Sequence, residues 1–194
     1  IFRDEVLSRV TREMSFKELK SLRLVCKQWS VVVMQVEHLN FGINGWSSSL
    51  YSLFLGKHFN RVTSVKAHAK ILTDCHTDEY GGFARIKRLE ILPLGSYERL
   101  PNDMQLRRCL ALETLVLPQH NFDYEIKDMD HLTTLTSLTC NAYVFQEIDE
   151  LFALTNLTTL SISGLSLYAQ PAEEFPKLTH LESDFPGHFI GFTG

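Results

Sequence analysis

The chain has 194 residues, of which 44% are hydrophobic and 22% are charged, and its formal net charge is −4. This composition is typical of a globular protein with a sizeable core, and no run of about 18 apolar residues exists that would cross a membrane. Residues 1–36 carry seven Lys or Arg and four Asp or Glu. The rest of the chain carries twelve Lys or Arg and nineteen Asp or Glu, which gives it a net charge of −7. Because that larger part is acidic, the charge argues against a nucleic-acid partner.

The first 36 residues are predicted to form three short amphipathic helices. Apolar residues recur at helical spacing from Phe2 to Val36. Ser15 followed by Glu18 is a capping box, which ends the first helix and starts the second. From these features alone, the helices fit a cap that seals the open edge of the structure that follows them.

The segment from Phe2 to Trp29 reads FRDEVLSRVTREMSFKELKSLRLVCKQW and resembles an F-box without a gap. Phe2-Arg3-Asp4-Glu5 sits where the family has Leu-Pro-Asp-Glu, and Arg3 in place of Pro removes a fixed helix start. The end of the segment matches the family's L-x-x-L-x-L-V-C-K-x-W. The resemblance implies that these helices dock on the Skp-type adaptor, and through it on the cullin, of an SCF-type ubiquitin ligase. The residues that this resemblance and the apolar stripe place at the adaptor are Phe2, Val6, Leu19, Leu22, Val25 and Trp29.

From residue 33 onward, a four-position apolar pattern, L-x-x-L-x-x-L-x-I, occurs seven times; we call it the frame. Its second positions are separated by 26, 24, 26, 23, 22 and 21 residues, and they are Val36, Val62, Ile86, Leu112, Leu135, Leu157 and Leu178. Twenty-seven of its 28 positions are apolar, whereas a 44% hydrophobic composition predicts about 12. Both the pattern and its period resemble the leucine-rich-repeat superfamily over residues 33–185.

The predicted fold class is α/β, with a three-helix F-box in residues 1–36 and a leucine-rich-repeat domain in residues 37–194. The second domain is expected to be a right-handed solenoid with parallel concave strands and about seven repeats. One strand cannot bury its apolar side alone, so neighbouring copies stack and share a core. Leu115, Leu138 and Leu160, at the third frame position, are therefore predicted to be fully buried.

Residues between the frame positions are predicted to line the concave, solvent-facing side of the strands. Seven strands ~4.8 Å apart give a surface roughly 30 Å long, which suits a macromolecule better than a metabolite. Charged or ionisable residues lie at both ends with small hydroxyl residues between, which fits either a recognition stripe or an ordinary solvated sheet face. The candidate target-binding residues are Lys66, His68, Arg88, Glu90, His180 and Glu182.

Helices are also predicted on the convex side, between the strands. Asn102 and Gln105 predict a capped helix that carries Met104 and Leu110. The clearest convex helix is predicted by the spacing of Phe145, Ile148, Leu151 and Phe152.

The four cysteines lie far apart without a C-x-x-C pair, which predicts free thiols in a reducing compartment, cytoplasmic and/or nuclear. No phosphate-binding, dinucleotide-binding, nucleophile-elbow or H-E-x-x-H motif occurs. His68, Cys75 and His76 lack a fourth ligand for zinc. No catalytic residue, metal site or cofactor is therefore predicted.

Together the two resemblances indicate an F-box/leucine-rich-repeat protein. Such a protein is a non-enzymatic substrate-recognition subunit of an SCF-type cullin–RING ubiquitin ligase, whose repeats bind a protein target. Two alternatives stay open: an interaction scaffold with a helical cap and no ligase, and a repeat domain attached to an enzyme beyond Gly194. The seventh frame ends on Ser183 and no polar closing repeat follows, so the sequence is expected to be a fragment of a longer protein.

Overall fold

The computed structural model describes residues 18, 37–41, 61–68, 71, 81–92, 104–106, 108–118, 126–127, 129–141, 148–164 and 175–183. Seven strands form one sheet in which every neighbouring pair is parallel. These strands are β1 His38–Asn40, β2 Ser64–His68, β3 Arg88–Leu92, β5 Thr114–Val116, β7 Ser137–Asn141, β8 Thr159–Ser163 and β9 His180–Ser183. The predicted parallel sheet of seven strands is confirmed.

The register of the sheet aligns the repeats one above another. The residues that lie opposite each other along the sheet are Leu39, Val65, Leu89, Leu115, Leu138, Leu160 and Leu181, all at the third frame position. Leu115 and Leu138 are 0% exposed and Leu160 is 1% exposed, as predicted. Every described frame position is buried except Leu181 and Ser183 in β9, which is an edge strand of this sheet. The frame therefore supplies most of the core, which also includes Ile71, Leu106, Met129 and Leu151.

A tight turn brings the first two frame positions of each repeat into the core. In five repeats, the carbonyl of the first frame position accepts a hydrogen bond from the N–H of the second frame position. One example is Leu154 O, which accepts from Leu157 N at 3.1 Å. Just after this turn, one carbonyl accepts two bonds from the next repeat. For example, Thr136 O accepts from the N–H groups of Thr158 and Thr159 at 2.8 and 3.0 Å. These bonds satisfy backbone groups that burial would otherwise leave without partners.

Where the structure describes the connections between the strands, they include short helices. Short 3₁₀ helices span Phe83–Arg85 and Met129–His131, and an α-helix, α1, spans Ile148–Phe152. The helix predicted around residues 145–152 is confirmed over the range of α1. Its last residue packs on the following repeat, because the rings of Phe152 and Phe175 lie 5.6 Å apart at 57°. This contact joins a connection to the core of its neighbour.

The helix predicted to carry Met104 and Leu110 is wrong. Met104–Gln105 is a strand, β4, which pairs in parallel with β6, Ile126–Lys127. Leu110 lies in a turn and is 65% exposed. A capping pattern reports only local preference, whereas pairing between successive connections is a contact between residues about 22 positions apart.

The three predicted N-terminal helices lie outside the described residues, apart from Glu18, which is helical. The right-handed winding of the solenoid stays a prediction. Within the described part of the chain, no helix is long and apolar enough to cross a membrane.

Candidate functional site

Two rows of side chains cross the exposed face of the seven-stranded sheet. The strand register places seven residues in the first row: His38, Ser64, Arg88, Thr114, Ser137, Thr159 and His180. The second row consists of Asn40, Lys66, Glu90, Val116, Thr139, Ser161 and Glu182. All fourteen side chains are half-buried or exposed. They form the sheet's candidate recognition face.

A charged cluster lies at one end of this face, on β2 and β3. Lys66 Nζ forms a salt bridge with Glu90 Oε1, and Arg88 Nη2 lies 3.6 Å from Glu90 Oε2. The side chain of Glu90 is 28% exposed, whereas that of Arg88 is 50% exposed. Two cations share one carboxylate, so the cluster has a net charge of +1 and its arginine faces solvent.

The middle of the face carries no charge. On β5, β7 and β8 the side chains of both rows are small, and all are half-buried: Thr114, Val116, Ser137, Thr139, Thr159 and Ser161. Five of these six carry hydroxyl groups, which both donate and accept hydrogen bonds. A partner can therefore approach the sheet closely there and still find hydrogen-bond partners.

The opposite end of the face is formed by β9 and is acidic. Glu182 is exposed, and Ser161 Oγ donates a 3.0 Å hydrogen bond to its Oε2. His180, two residues before it, is also exposed, with Nδ1 3.0 Å from Thr179 Oγ1. The hydroxyl of Ser161 holds the carboxylate toward the centre of the face. The second carboxylate oxygen has no hydrogen bond to any residue that the structure describes.

The structure divides the predicted target-binding residues between the two ends. It brings together Lys66, Arg88 and Glu90 at one end, and His180 and Glu182 at the other. Four strand spacings separate β3 from β9, which corresponds to about 19 Å. Whether these residues bind a target stays a prediction.

The prediction that His68 faces solvent is wrong. His68 is 1% exposed and is the last residue of β2, where it follows buried Ala67. Ser163, the last residue of β8, is also buried, at 4%. In both strands the inward–outward alternation stops at the fifth position. The two-residue period of a strand therefore does not predict burial at the last residue of these two strands.

The predicted adaptor-binding residues lie outside the part of the chain that the structure describes. They are Phe2, Val6, Leu19, Leu22, Val25 and Trp29. Cys75 and His76, two of the three residues of the weak zinc pattern, also lie outside it. Among the described residues, no group of three or more His, Cys, Asp or Glu side chains is placed to hold a metal ion.

A series of polar contacts outside both rows borders the face, and sequence reasoning missed it. The hydroxyls of Thr136, Thr158 and Thr179 each donate to a carbonyl of the preceding repeat, at 3.1, 3.0 and 3.0 Å. At the same position in earlier repeats, Lys87 Nζ pairs with Glu113 Oε1 at 2.7 Å. The signal was present in the sequence, since all of these residues directly follow the second frame position. These contacts tie neighbouring repeats together from Lys87 to Thr179.

Two cysteines at frame positions are buried free thiols, Cys109 and Cys140, as predicted for these two. Burial raises the pKa of the Cys140 thiol, because the thiolate would lose its hydration in the core. A group with a raised folded pKa stabilises the fold below its unfolded pKa, and this contribution is lost as the pH rises. The loss of this stabilising contribution therefore begins near pH 8.5, the ordinary pKa of a cysteine thiol.

We expect the free energy of unfolding to fall faster with alkaline pH in the parent than in Cys140→Val. Above pH about 8.5, the unfolded thiol ionises while the buried one does not, which costs up to ~1.4 kcal/mol per pH unit. Urea unfolding followed by circular dichroism between pH 8 and 10, with a reductant present, measures both slopes. Parallel curves for the two proteins would contradict the burial of this thiol.

The fold defined by these contacts fits the leucine-rich-repeat architecture: a parallel solenoid whose strands follow tight turns of buried leucines. No protein-family model and no curated protein sequence matches the chain. Among solved structures, the crystal structure of an internalin C2 from Listeria monocytogenes is similar, with a TM-score of 0.52. The likeness covers 86% of this chain and 71% of that chain, at 16% sequence identity. At that identity the comparison shows the fold.

Proposed function

We propose that this chain is the non-enzymatic substrate-recognition subunit of an SCF-type cullin–RING ubiquitin ligase. The observation that carries the proposal is the order of two segments along the chain. A segment resembling an F-box, from Phe2 to Trp29, directly precedes a solenoid whose exposed sheet spans seven repeats. Each part has one task in this proposal: the first binds the adaptor and the second binds the target.

The exposed sheet face supports the target-binding half of the proposal. Each of its seven strands contributes at least two outward side chains in a common register, over roughly 30 Å. Charge at the ends and hydroxyls in the middle suit contact with a protein surface, where polar complementarity sets specificity. The ubiquitin would be transferred by other subunits, so no catalytic residue of this chain is required.

The adaptor-binding half rests on the sequence of residues 1–36. The three short helices predicted there would leave part of their apolar surface uncovered, and an uncovered patch of that size normally marks an interface. The resemblance independently assigns Leu19, Leu22 and Val25 to a Skp-type adaptor. A cytoplasmic and/or nuclear location belongs to the same proposal, and the buried free thiols Cys109 and Cys140 are compatible with a reducing compartment.

A second candidate is an interaction scaffold that has no link to a ligase. It is favoured by one observation: the residues that the structure describes form a parallel solenoid with a broad exposed sheet face, which can bind a protein without a ligase. A repeat domain attached to an enzyme encoded beyond Gly194 is the third reading. These candidates differ in their partners, because only the first requires the adaptor.

The experiment that separates them is affinity purification of the intact chain from a eukaryotic cell, followed by quantitative mass spectrometry. The ligase proposal expects the Skp-type adaptor and a cullin in stoichiometric amounts, and direct binding when the purified adaptor is titrated calorimetrically. Target proteins without the adaptor would support the scaffold. A full-length reading frame with a catalytic domain would support the third candidate.

Reversing charge on the exposed face is expected to weaken target capture and leave the adaptor bound. Loss of one charged contact, as in Lys66→Glu, Arg88→Glu or Glu182→Lys, costs ~1.5–3 kcal/mol, or about 10- to 150-fold in affinity. Quantitative co-purification reports both partners at once, and circular dichroism checks the fold. Unchanged capture by all three variants would place the target site elsewhere.

A further inference from the structure

The charges on the exposed sheet face are separated by sign. Within the described rows, the only Lys and Arg side chains are Lys66 and Arg88, on β2 and β3. Within the same described rows, the only carboxylate outside the cluster of Lys66, Arg88 and Glu90 is Glu182, on β9. One end of the face therefore has a net charge of +1 and the other end a charge of −1.

At each end, one charged group keeps an open side toward solvent. The guanidinium of Arg88 is 3.6 Å from its carboxylate neighbour, beyond hydrogen-bond length, and its side chain is half exposed. Its planar donors fit a carboxylate through two parallel bonds. Glu182 receives the Ser161 hydroxyl on Oε2, which leaves Oε1 for a cation. Each end can thus bind a charge opposite to its own.

The distance between the ends sets the size of the partner. Arg88 and Glu182 are four strand spacings apart, about 19 Å, measured across the strands. An extended peptide advances ~3.3 Å per residue, so about six residues cover this distance. Between the ends, the hydroxyls of Thr114, Ser137 and Thr159 lie in one row. Hydroxyls spaced in this way can bond the N–H and C=O groups of a chain that runs across the strands.

We propose that the exposed face binds an extended segment of the target that is charged at both ends. The segment carries an acidic residue, which binds Arg88, and a basic residue about six positions away, which binds Glu182. It crosses β3 to β9 with uncharged residues over the middle of the face. This inference rests on the proposed function, because it names the kind of target that the repeats recognise.

The test is selection from a displayed library of random 12-residue peptides on the intact chain and on three variants. The parent should enrich peptides that combine one acidic and one basic residue four to eight positions apart. Arg88→Glu should enrich peptides with two basic residues, and Glu182→Lys should enrich peptides with two acidic residues. The double variant Arg88→Glu with Glu182→Lys should restore the mixed pattern, since both ends have exchanged sign.

The best parent-selected peptide is then measured by fluorescence anisotropy. Either single reversal should weaken its binding about tenfold or more, whereas the matched control Arg108→Glu should change it less than twofold. Arg108 is an exposed arginine outside both rows. Spacers shortened to two residues should also weaken binding about tenfold, because such a peptide cannot reach both ends.

Three results would overturn the inference: enrichment without the mixed pattern, selections that ignore the reversals, or spacer-independent binding. Self-association of the chain alone that Arg88→Glu abolishes, seen by light scattering, would also overturn it, because the occupant would then be a second copy. None of these results bears on adaptor binding through Leu22 and Val25. A failed peptide selection with intact adaptor binding therefore rejects this inference and leaves the ligase proposal standing.

Discussion

Leu138→Asp is expected to unfold the solenoid under conditions in which the parent is fully folded. Leu138 is 0% exposed and lies between Leu115 and Leu160 in the stacked third-position row. Removing a buried leucine costs ~2–5 kcal/mol, and burying a carboxylate without a partner costs several more. The free energy of unfolding of a domain is only about 5–15 kcal/mol, so these two costs together remove most or all of that stability. Urea unfolding monitored by circular dichroism measures the change.

The matched control is the same substitution at an exposed leucine. Leu110 is 65% exposed in a turn, so Leu110→Asp should change the free energy of unfolding by no more than about 0.5 kcal/mol. Leu138→Met should cost less than about 1.5 kcal/mol, because it nearly preserves volume and stays apolar. If Leu138→Asp melts like the parent, the frame does not define the core.

The double substitution Leu22→Ala with Val25→Ala is expected to abolish co-purification of the adaptor. Truncation of a central apolar anchor costs ~2–4 kcal/mol at an interface, which lowers affinity by about 30- to 1000-fold. A loss of affinity of that size is enough for the adaptor to be lost during co-purification. The test is a titration of purified adaptor into the parent and the double variant, with circular dichroism and urea unfolding as measures of the fold.

The control for this experiment is Leu110→Ala, which removes an exposed leucine of the repeats and should leave the adaptor bound. Adaptor binding retained by the double variant would support a helical cap in place of an F-box. Collapse of the entire solenoid would support the same cap, because the two residues would then serve the intramolecular core. Only loss of the adaptor with an intact fold fits the ligase proposal.

The sequence predicted the core of this protein well because one physical rule applies seven times. In a strand, alternate residues point to opposite faces, so a repeated apolar position identifies a buried one in every copy. Leu89 and Leu160 could be assigned from this rule without knowledge of their neighbours. The same rule placed Lys66 and Arg88 on the exposed face, where the structure also has them.

The sequence by itself therefore determined the repeat, the seven strands of the main sheet and most residues of the core, since these follow from local periodicity. Only the tertiary structure decided which polar residues meet. The Lys66–Glu90 salt bridge and the bond from Ser161 to Glu182 join residues 24 and 21 positions apart, in different repeats. Burial of His68 likewise depends on the end of β2, where the local alternation stops. Such contacts depend on how neighbouring repeats are aligned and on where each strand ends, which periodicity within one repeat does not specify.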